Sequence, residues 1–422
     1  MSVTELDAVA ERVHKWLGVL PSGWAGARLL EVANAWTSNV DKHTVEGEPS
    51  VRLCNYVDVY KNDGIVDSLD FMAASATRDQ IRKFRIRVGD TLITKDSETA
   101  DDIGVPAYVE FEADDLICGY HLAIVRPDQR RIIPRFLYWA LDSEPVARQW
   151  GVTAAGVTRV GIRSTDLNKV TIPLPPLDEQ RAIADYLDLE TAQIDALVAK
   201  QESLLTLLAE RKRSVLSQVL AEVEGKSCRL RWLYRPSSEA NSPDEEVLSV
   251  YREHGVILKA SRSDNFNKTP ENVDRYLLVR PDDLVVNKMK AWQGSLGVST
   301  YRGIVSADYE VLRPSTSYLD PEFAHFLLRS PQMVVEYRVR SRGIRPSQWR
   351  LYWQEFADIE ISVPPLDAQV LAASQIKTET QAIDTLISKA EEHIALAKER
   401  RLALITAAVT GQIDVRTARK AS

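Results

Sequence analysis

Pro175-Pro176-Leu177-Asp178-Glu179-Gln180 returns 189 residues later as Pro364-Pro365-Leu366-Asp367-Ala368-Gln369. Continued without a gap, the shift aligns Glu190-Thr191 with Glu379-Thr380, Ile194-Asp195 with Ile383-Asp384, and Glu210-Arg211 with Glu399-Arg400. Of the 37 positions from 175 to 211, 16 are identical, so the chain reads first as an internal repeat.

Each copy reads as a long helix. Leu187, Ile194, Leu208 and Val215 fall on one seven-residue spacing, with Leu197 and Leu204 on the neighbouring seam. Ile376, Ile383, Ala390, Ala397 and Leu404 repeat that spacing, with Leu386 alongside. Neither stretch holds an internal proline, and glycine occurs only near the ends, at Gly225 and Gly411. The proline run blocks helix upstream, and Asp178 or Asp367 is then expected to cap the exposed N–H groups. A heptad stripe needs a partner helix to bury it, and the shared sequence points to the two helices pairing with each other.

The repeat extends weakly upstream. Arg126-Pro127 and Arg135–Trp139 are similar to Arg313-Pro314 and Glu322–Phe326, and Val88–Ile93 to Arg280–Val285. Short β-type runs (Tyr108–Phe111, Leu122–Val125, Leu277–Leu278, Leu284–Val286) alternate with short helical patterns at Pro134–Leu141 and Pro321–Leu328. The expected fold is α+β, with a globular α/β domain at 1–175, a long helix at 176–224, a second α/β domain at 225–363, and a long helix with its tail at 364–422. The two helices are expected to be antiparallel and to separate the domains about a pseudo-two-fold axis. A helix of about 45 residues spans roughly 65 Å, long enough to set two separated contact regions on one duplex.

Length and composition are compatible with this. A chain of 422 residues, 45% hydrophobic and 27% charged, has the make-up of several globular domains with sizeable cores. The sequence holds no apolar run of membrane-spanning length, and the N-terminus has no signal-peptide pattern. The three cysteines, Cys54, Cys118 and Cys228, have neither metal-ligand nor redox-pair spacing, which makes a reduced cytoplasm the expected compartment.

Ile172-Pro173-Leu174-Pro175-Pro176-Leu177-Asp178-Glu179-Gln180, followed by Ile194-Asp195-Ala196-Leu197, resembles the specificity subunit of type I restriction–modification systems. Leu20-Pro21-Ser22-Gly23-Trp24, Gly89-Asp90-Thr91-Leu92-Ile93, Val286–Gly294 and Ser341–Arg345 are similar to further segments of that family. The resemblance implies a non-catalytic chain with two target recognition domains, each reading half of a split DNA site. It also implies that the helices serve as spacer and as docking site for two methyltransferase (modification) subunits. Restriction/translocase subunits would complete an ATP-dependent nuclease. S-adenosylmethionine, ATP and Mg2+ are then expected in the partner subunits, and no cofactor or metal in this chain. The second copy departs from the pattern where Glu179 becomes Ala368 and Arg181-Ala182-Ile183 becomes Val370-Leu371-Ala372.

The residues themselves offer little catalytic chemistry. Gly225-Lys226-Ser227 supplies the end of a phosphate-binding G-x-x-x-x-G-K-[ST] loop, but the first glycine's place is taken by Leu220. A helix stop followed by a linker is the better reading. The six histidines are scattered without zinc-site spacing, and no G-x-S-x-G elbow occurs. A coiled-coil scaffold whose domains bind proteins, or the recognition subunit of a related fused methyltransferase–nuclease system, are the other readings open at this point.

The net charge of −7 argues against DNA only until it is divided. Residues 1–175 carry −5, 176–224 −5, 225–363 +2 and 364–422 +1. Arg78, Arg82 and Lys83 lie in a run of five basic residues and one acid. Arg340, Arg342 and Arg345 lie in a second run interleaved with Tyr337, Trp349 and Tyr352. Gly156-Val157-Thr158-Arg159 and Gly343-Ile344-Arg345 precede the proline motifs at similar distances, which makes Arg159 and Arg345 equivalent candidates, with Arg163 nearby. Lys288 and Lys290, beside Trp292, form a candidate loop contact. Arginine holds phosphates or reads guanine bidentately, so these ten side chains are the expected DNA contacts. Each cluster can also be read as the solvated face of its element.

Overall fold

A computed structural model of the chain describes residues 3–156, 158–262, 269–270, 272–345 and 348–418, without the side chains of 3–9 and 418. Val157, quoted above beside Gly156, lies outside the described residues. The chain divides into two compact units, one of residues 1–200 with 393–422 and the other of residues 201–392. That division passes through both long helices, Leu177–Glu222 and Leu366–Val409, so each unit holds one globular domain and a segment of each helix.

In the first unit a five-stranded sheet runs in the order Ala33–Thr37, Leu122–Pro127, Thr91–Thr94, Pro106–Val109, Gly64–Ile65. Successive side chains of a strand face opposite ways. Ile93, Ala123 and Val125 accordingly pack with the helices Pro134–Asp142 and Glu144–Thr153, while Leu92, Leu122 and Ile124 enter a second core against the strands Ser50–Cys54 and Leu116–Cys118. Burial on both faces is why these strands read as unbroken apolar runs. Phe111 lies beyond the end of its strand, at Val109.

The second unit repeats the plan. Its four-stranded sheet runs Tyr234–Ser237, Tyr309–Pro314, Leu284–Asn287, Leu296–Val298. Leu284, Val286 and Leu312 face the helices Pro321–Leu328 and Pro331–Arg340, whereas Val285 and Val311 face the hairpin Leu248–Leu258. In each unit the chain enters and leaves the globular domain on adjacent antiparallel strands, Ala25–Arg28 with Thr171–Leu174 and Lys226–Arg229 with Glu360–Val363. Lys226 and Ser227 therefore lie on a strand, not at the start of the helix that a phosphate loop requires.

The repeated motifs have local physical causes. Gln180 is buried, and its Oε1 accepts from the Ile133 N–H at 2.8 Å while its Nε2 donates to the Pro175 carbonyl at 2.8 Å. Gln369 does the same with the Asp320 N–H and the Pro364 carbonyl, each at 2.8 Å. The glutamine thus clamps each long helix start to the residue that precedes the helix Pro134–Asp142 or Pro321–Leu328. The helices begin at Leu177 and Leu366, which places Asp178 and Asp367 inside the first turn and not at the expected cap position. There they favour the helix dipole. Glu179 accepts from Trp24 Nε1 at 3.0 Å and lies 3.7 Å from Arg416, contacts that Ala368 cannot make.

Asp90 and Asp283, both buried, accept from the backbone N–H groups of Arg87 and Arg280 and pair with Arg126 and Arg313. The turn before each aspartate adopts positive φ, +91° at Gly89 and +71° at Asp282, which accounts for the glycine of the first copy. Position 135 and its counterpart 322 are also bridged to the helix starts, with reversed polarity. Arg135 donates to Asp188 at 2.7 Å, whereas Glu322 accepts from Lys377 at 2.7 Å.

The helix segments pair antiparallel within each unit. In the first, Ile183 and Leu187 share a core with Ile405 and Val409, and Asp195 lies 3.2 Å from Arg401. In the second, Val215 and Val219 pack with Ala372, Ala373, Ile376 and Ile383, and Lys212 pairs with Asp384 at 2.5 Å. Leu187, Ile194, Ile376 and Ile383 are buried and Leu208 is partly buried, as the heptad spacing requires. Leu197, Leu204 and Leu386 are instead exposed.

Candidate nucleic-acid interface

In the first unit three segments converge at one end of the sheet. The strand Thr91–Thr94 delivers Lys95 and Asp96, and the loop before Leu122–Pro127 delivers Tyr120 and His121. A tight hairpin carries Arg159; the Ala155–Gly161 bridge joins its arms, and its second arm, Val160–Gly161, pairs with Asp96–Ser97. The Lys95 N–H donates to the His121 carbonyl at 3.0 Å, and the Ile162 N–H donates to the Lys95 carbonyl at 2.8 Å. Gly156 starts the hairpin turn at φ +152°, and a Cβ there would stand 1.8 Å from the Arg159 carbonyl oxygen, so the turn demands glycine.

The side chains at this junction are interlocked. The Lys95 ammonium sits 4.2 Å above the Tyr120 ring, and the Tyr120 and His121 rings meet edge to face at 4.9 Å. His121 Nδ1 is 2.8 Å from Asp96 Oδ2. Arg159 is exposed, and its charge reaches Tyr56, whose phenol burial nevertheless pushes above its ordinary range.

The second unit builds the same frame. The Lys288 N–H donates to the Asp308 carbonyl at 3.1 Å, and the Leu351 N–H donates to the Lys288 carbonyl at 2.9 Å. A hairpin closed by Arg342 and Arg350 carries Ile344, which is 95% exposed, and the exposed Arg345. Trp349 donates to the Gly343 carbonyl at 3.1 Å and meets Trp292 edge to face at 5.4 Å, so the hairpin stands against the Lys288–Gln293 loop. Arg159 and Arg345 thus occupy corresponding hairpins, as their distances from the proline motifs suggest.

The remaining candidates are placed unevenly. Lys290 is exposed in that loop, but the Lys288 ammonium turns inward to the Ala307 carbonyl at 2.7 Å and lies 3.9 Å from Glu310. Arg340 is engaged by Glu336, and Arg342 lies 3.2 Å from Glu355. Arg78, Arg82 and Lys83 project from the helix Arg78–Phe84, which Thr77 caps by accepting from the Gln80 N–H at 3.2 Å. Arg82 pairs with Asp79 at 2.7 Å. That helix touches the segment after strand Ala33–Thr37 through Gln80 and Asn39, and the strand's last residue, Thr37, meets Ser164, next to exposed Arg163. Sequence reading did not single out Lys95, Tyr120 and His121, which the fold brings together here. The one available signal was a lysine immediately following the sheet strand in both copies, Lys95 and Lys288. Among the described residues no cluster of His, Cys, Asp and Glu has the form of a metal site.

The two units share one sheet plan and one set of lysine-to-loop hydrogen bonds at this end of the sheet. Residues 26–205 match the sequence model of the type I restriction modification DNA specificity domain. The chain is 23% identical to the type I restriction enzyme MjaX specificity subunit of Methanocaldococcus jannaschii, over 95% of this chain and 96% of that protein. It is 25% identical to the type I restriction enzyme EcoBI specificity subunit of Escherichia coli, over 41% of this chain and 35% of that one. A chain solved in work on complex assembly and conformational transition of the type I R-M system shares the fold, with a TM-score of 0.70 at 17% identity, covering 94% of this chain and 100% of that chain. Over nearly its whole length the chain is similar to a type I restriction enzyme specificity subunit, and residues 26–205 carry the sequence pattern of the specificity domain. The matched model stops in the first long helix, so the likeness of the second half to the first rests on the repeat itself.

Proposed function

We propose that the chain reads a split duplex DNA target, one half by each unit, on behalf of an adenine methyltransferase and an ATP-dependent nuclease assembled around it. One observation carries this reading. The two units share a backbone frame, held by the same glutamine clamp, Asp–Arg pair and lysine-to-loop hydrogen bonds, yet present different side chains on it. A common frame with divergent side chains is what reading two unlike half-sites requires, because base edges specify and phosphates only position.

The chain itself contributes recognition and no catalysis. Two modification subunits would dock on the paired helices, where Leu197, Leu204 and Leu386 leave apolar surface uncovered. S-adenosylmethionine, ATP and Mg2+ would act in the modification and restriction/translocase subunits. No described helix is long and apolar enough to cross a membrane, and the cytoplasm, where the chromosome lies, is the compartment this function needs.

Co-expression with the modification subunits in a methylation-free host, followed by methylome sequencing, tests the reading. The expected product is adenine methylation at one bipartite motif. Methylation absent, or present without this chain, would overturn it.

A further inference from the structure

The shared frame makes it possible to ask which side chains differ at corresponding places. The hydrogen bonds that join Lys95 to His121 and Ile162 also join Lys288 to Asp308 and Leu351. Asp96 therefore corresponds to Met289, Tyr120 to Ala307, and His121 to Asp308. At three of the four positions the chemistry changes completely. The fourth is lysine in both units, but its ammonium is used differently. Lys288 is spent on a carbonyl and on Glu310, while Lys95 rests on the ring of Tyr120, which is 47% exposed.

We propose that Lys95, held on Tyr120, is a base-reading contact of the first unit and donates to an acceptor-bearing base edge in the major groove of one half of the target. This rests on the specificity-subunit reading above and names a residue that carries it out. The ring attracts the ammonium through its quadrupole and holds the head of a flexible side chain in place, so less freedom is lost when DNA arrives. His121 holds Tyr120 from its edge, and Asp96 holds His121. The lysine head has three donors and no acceptor, which matches guanine N7 and O6 and clashes with the amino groups of adenine and cytosine. Ala307 offers no such platform, so the second unit must read its half with other groups on the same frame, Lys290 and Arg345 among them.

The test compares methylomes of the full chain co-expressed with its modification subunits. Lys95→Ala and Lys95→Gln are expected to relax discrimination by roughly tenfold or more at a base position in one half of the motif. The other half and the spacing should stay unchanged. Tyr120→Ala should shift the same position by less, and Tyr120→Phe should keep the wild-type motif. Melting temperatures of the purified variants are read alongside, and Lys95→Gln, which keeps a polar side chain at the position, decides if Lys95→Ala does not fold. Unchanged discrimination in both lysine variants overturns the proposal. So does a uniform fall over all sequences, which marks a phosphate contact, or the failure of both variants to fold, which marks a structural lysine. A wild-type chain that directs no bipartite methylation overturns the broader reading instead.

Discussion

Lys212 donates to both carboxylate oxygens of Asp384, at 2.5 and 2.7 Å, and the 189-residue shift carries this pair onto Arg401 and Asp195 with the helices exchanging roles. The two pairs differ in their surroundings. Lys212 and Asp384 are well exposed, whereas Arg401 is 15% exposed and meets Asp63 and Asp142 in addition to Asp195.

Removing the cation should therefore have unequal effects. Lys212→Met gives up an exposed ion pair, which costs about 0–1 kcal/mol. Arg401→Met leaves buried Asp142 without its cation and also strips a guanidinium from the Trp139 ring, at a cost of about 3 kcal/mol or more. Urea titrations of the two variants check the order. Equal midpoints would show that the Arg401 cluster contributes no more than a surface pair.

Asp142 sets a pH dependence in the same cluster. Burial pushes its carboxyl up to about 6, against the opposing pull of Arg401 and with Asp63 and Asp195 adding repulsion. An acid whose folded pKa is raised binds its proton more tightly in the native state. The resulting stabilisation is complete below the ordinary carboxylate value near 4 and is lost as pH rises through about 6. The wild-type chain should lose on the order of 2–3 kcal/mol from this group between about pH 4 and 6.5. Asp142→Asn should flatten that slope in denaturant melts across the same range, and an unaltered slope would assign it to other groups.

The glutamine clamps make a paired prediction. Gln180→Ala or Gln369→Ala strands a buried N–H and buried carbonyls, at a cost of about 2–3 kcal/mol in each case. Glutamate should be worse than alanine at either position, because its second oxygen would face the carbonyls to which Nε2 now donates. Thermal melts of the four variants distinguish this from a simple loss of packing, under which glutamate would be the milder change.

The repeat, the long helices and their mutual burial were legible because periodicity records which face is covered. Leu187 and Ile376 sit in the seam that their spacing demands. Leu197 and Leu386 defeated the same logic, since an apolar residue beside a seam looks alike in sequence whether a helix of this chain or another molecule covers it. Arg159 and Arg345 could be matched to each other because each sits in a glycine turn at a similar distance before its proline motif. Lys95 and Tyr120 could not, because 25 residues separate them and only the register of two strands brings them together. Cys54 and Cys118 are similar, far apart in sequence but directly opposed on parallel strands. Lys288 shows the converse, a basic side chain in a suggestive loop whose charge turns out to be consumed internally.

The polarity reversal between Arg135–Asp188 and Glu322–Lys377 constrains how halves of such proteins can be recombined. A cassette cut at the proline run and grafted onto the opposite helix start would set Arg135 against Lys377, or Glu322 against Asp188. A clean exchange has to take its junction three turns or more into the helix, beyond Asp188 or Lys377, so that each domain travels with the countercharge it was matched to.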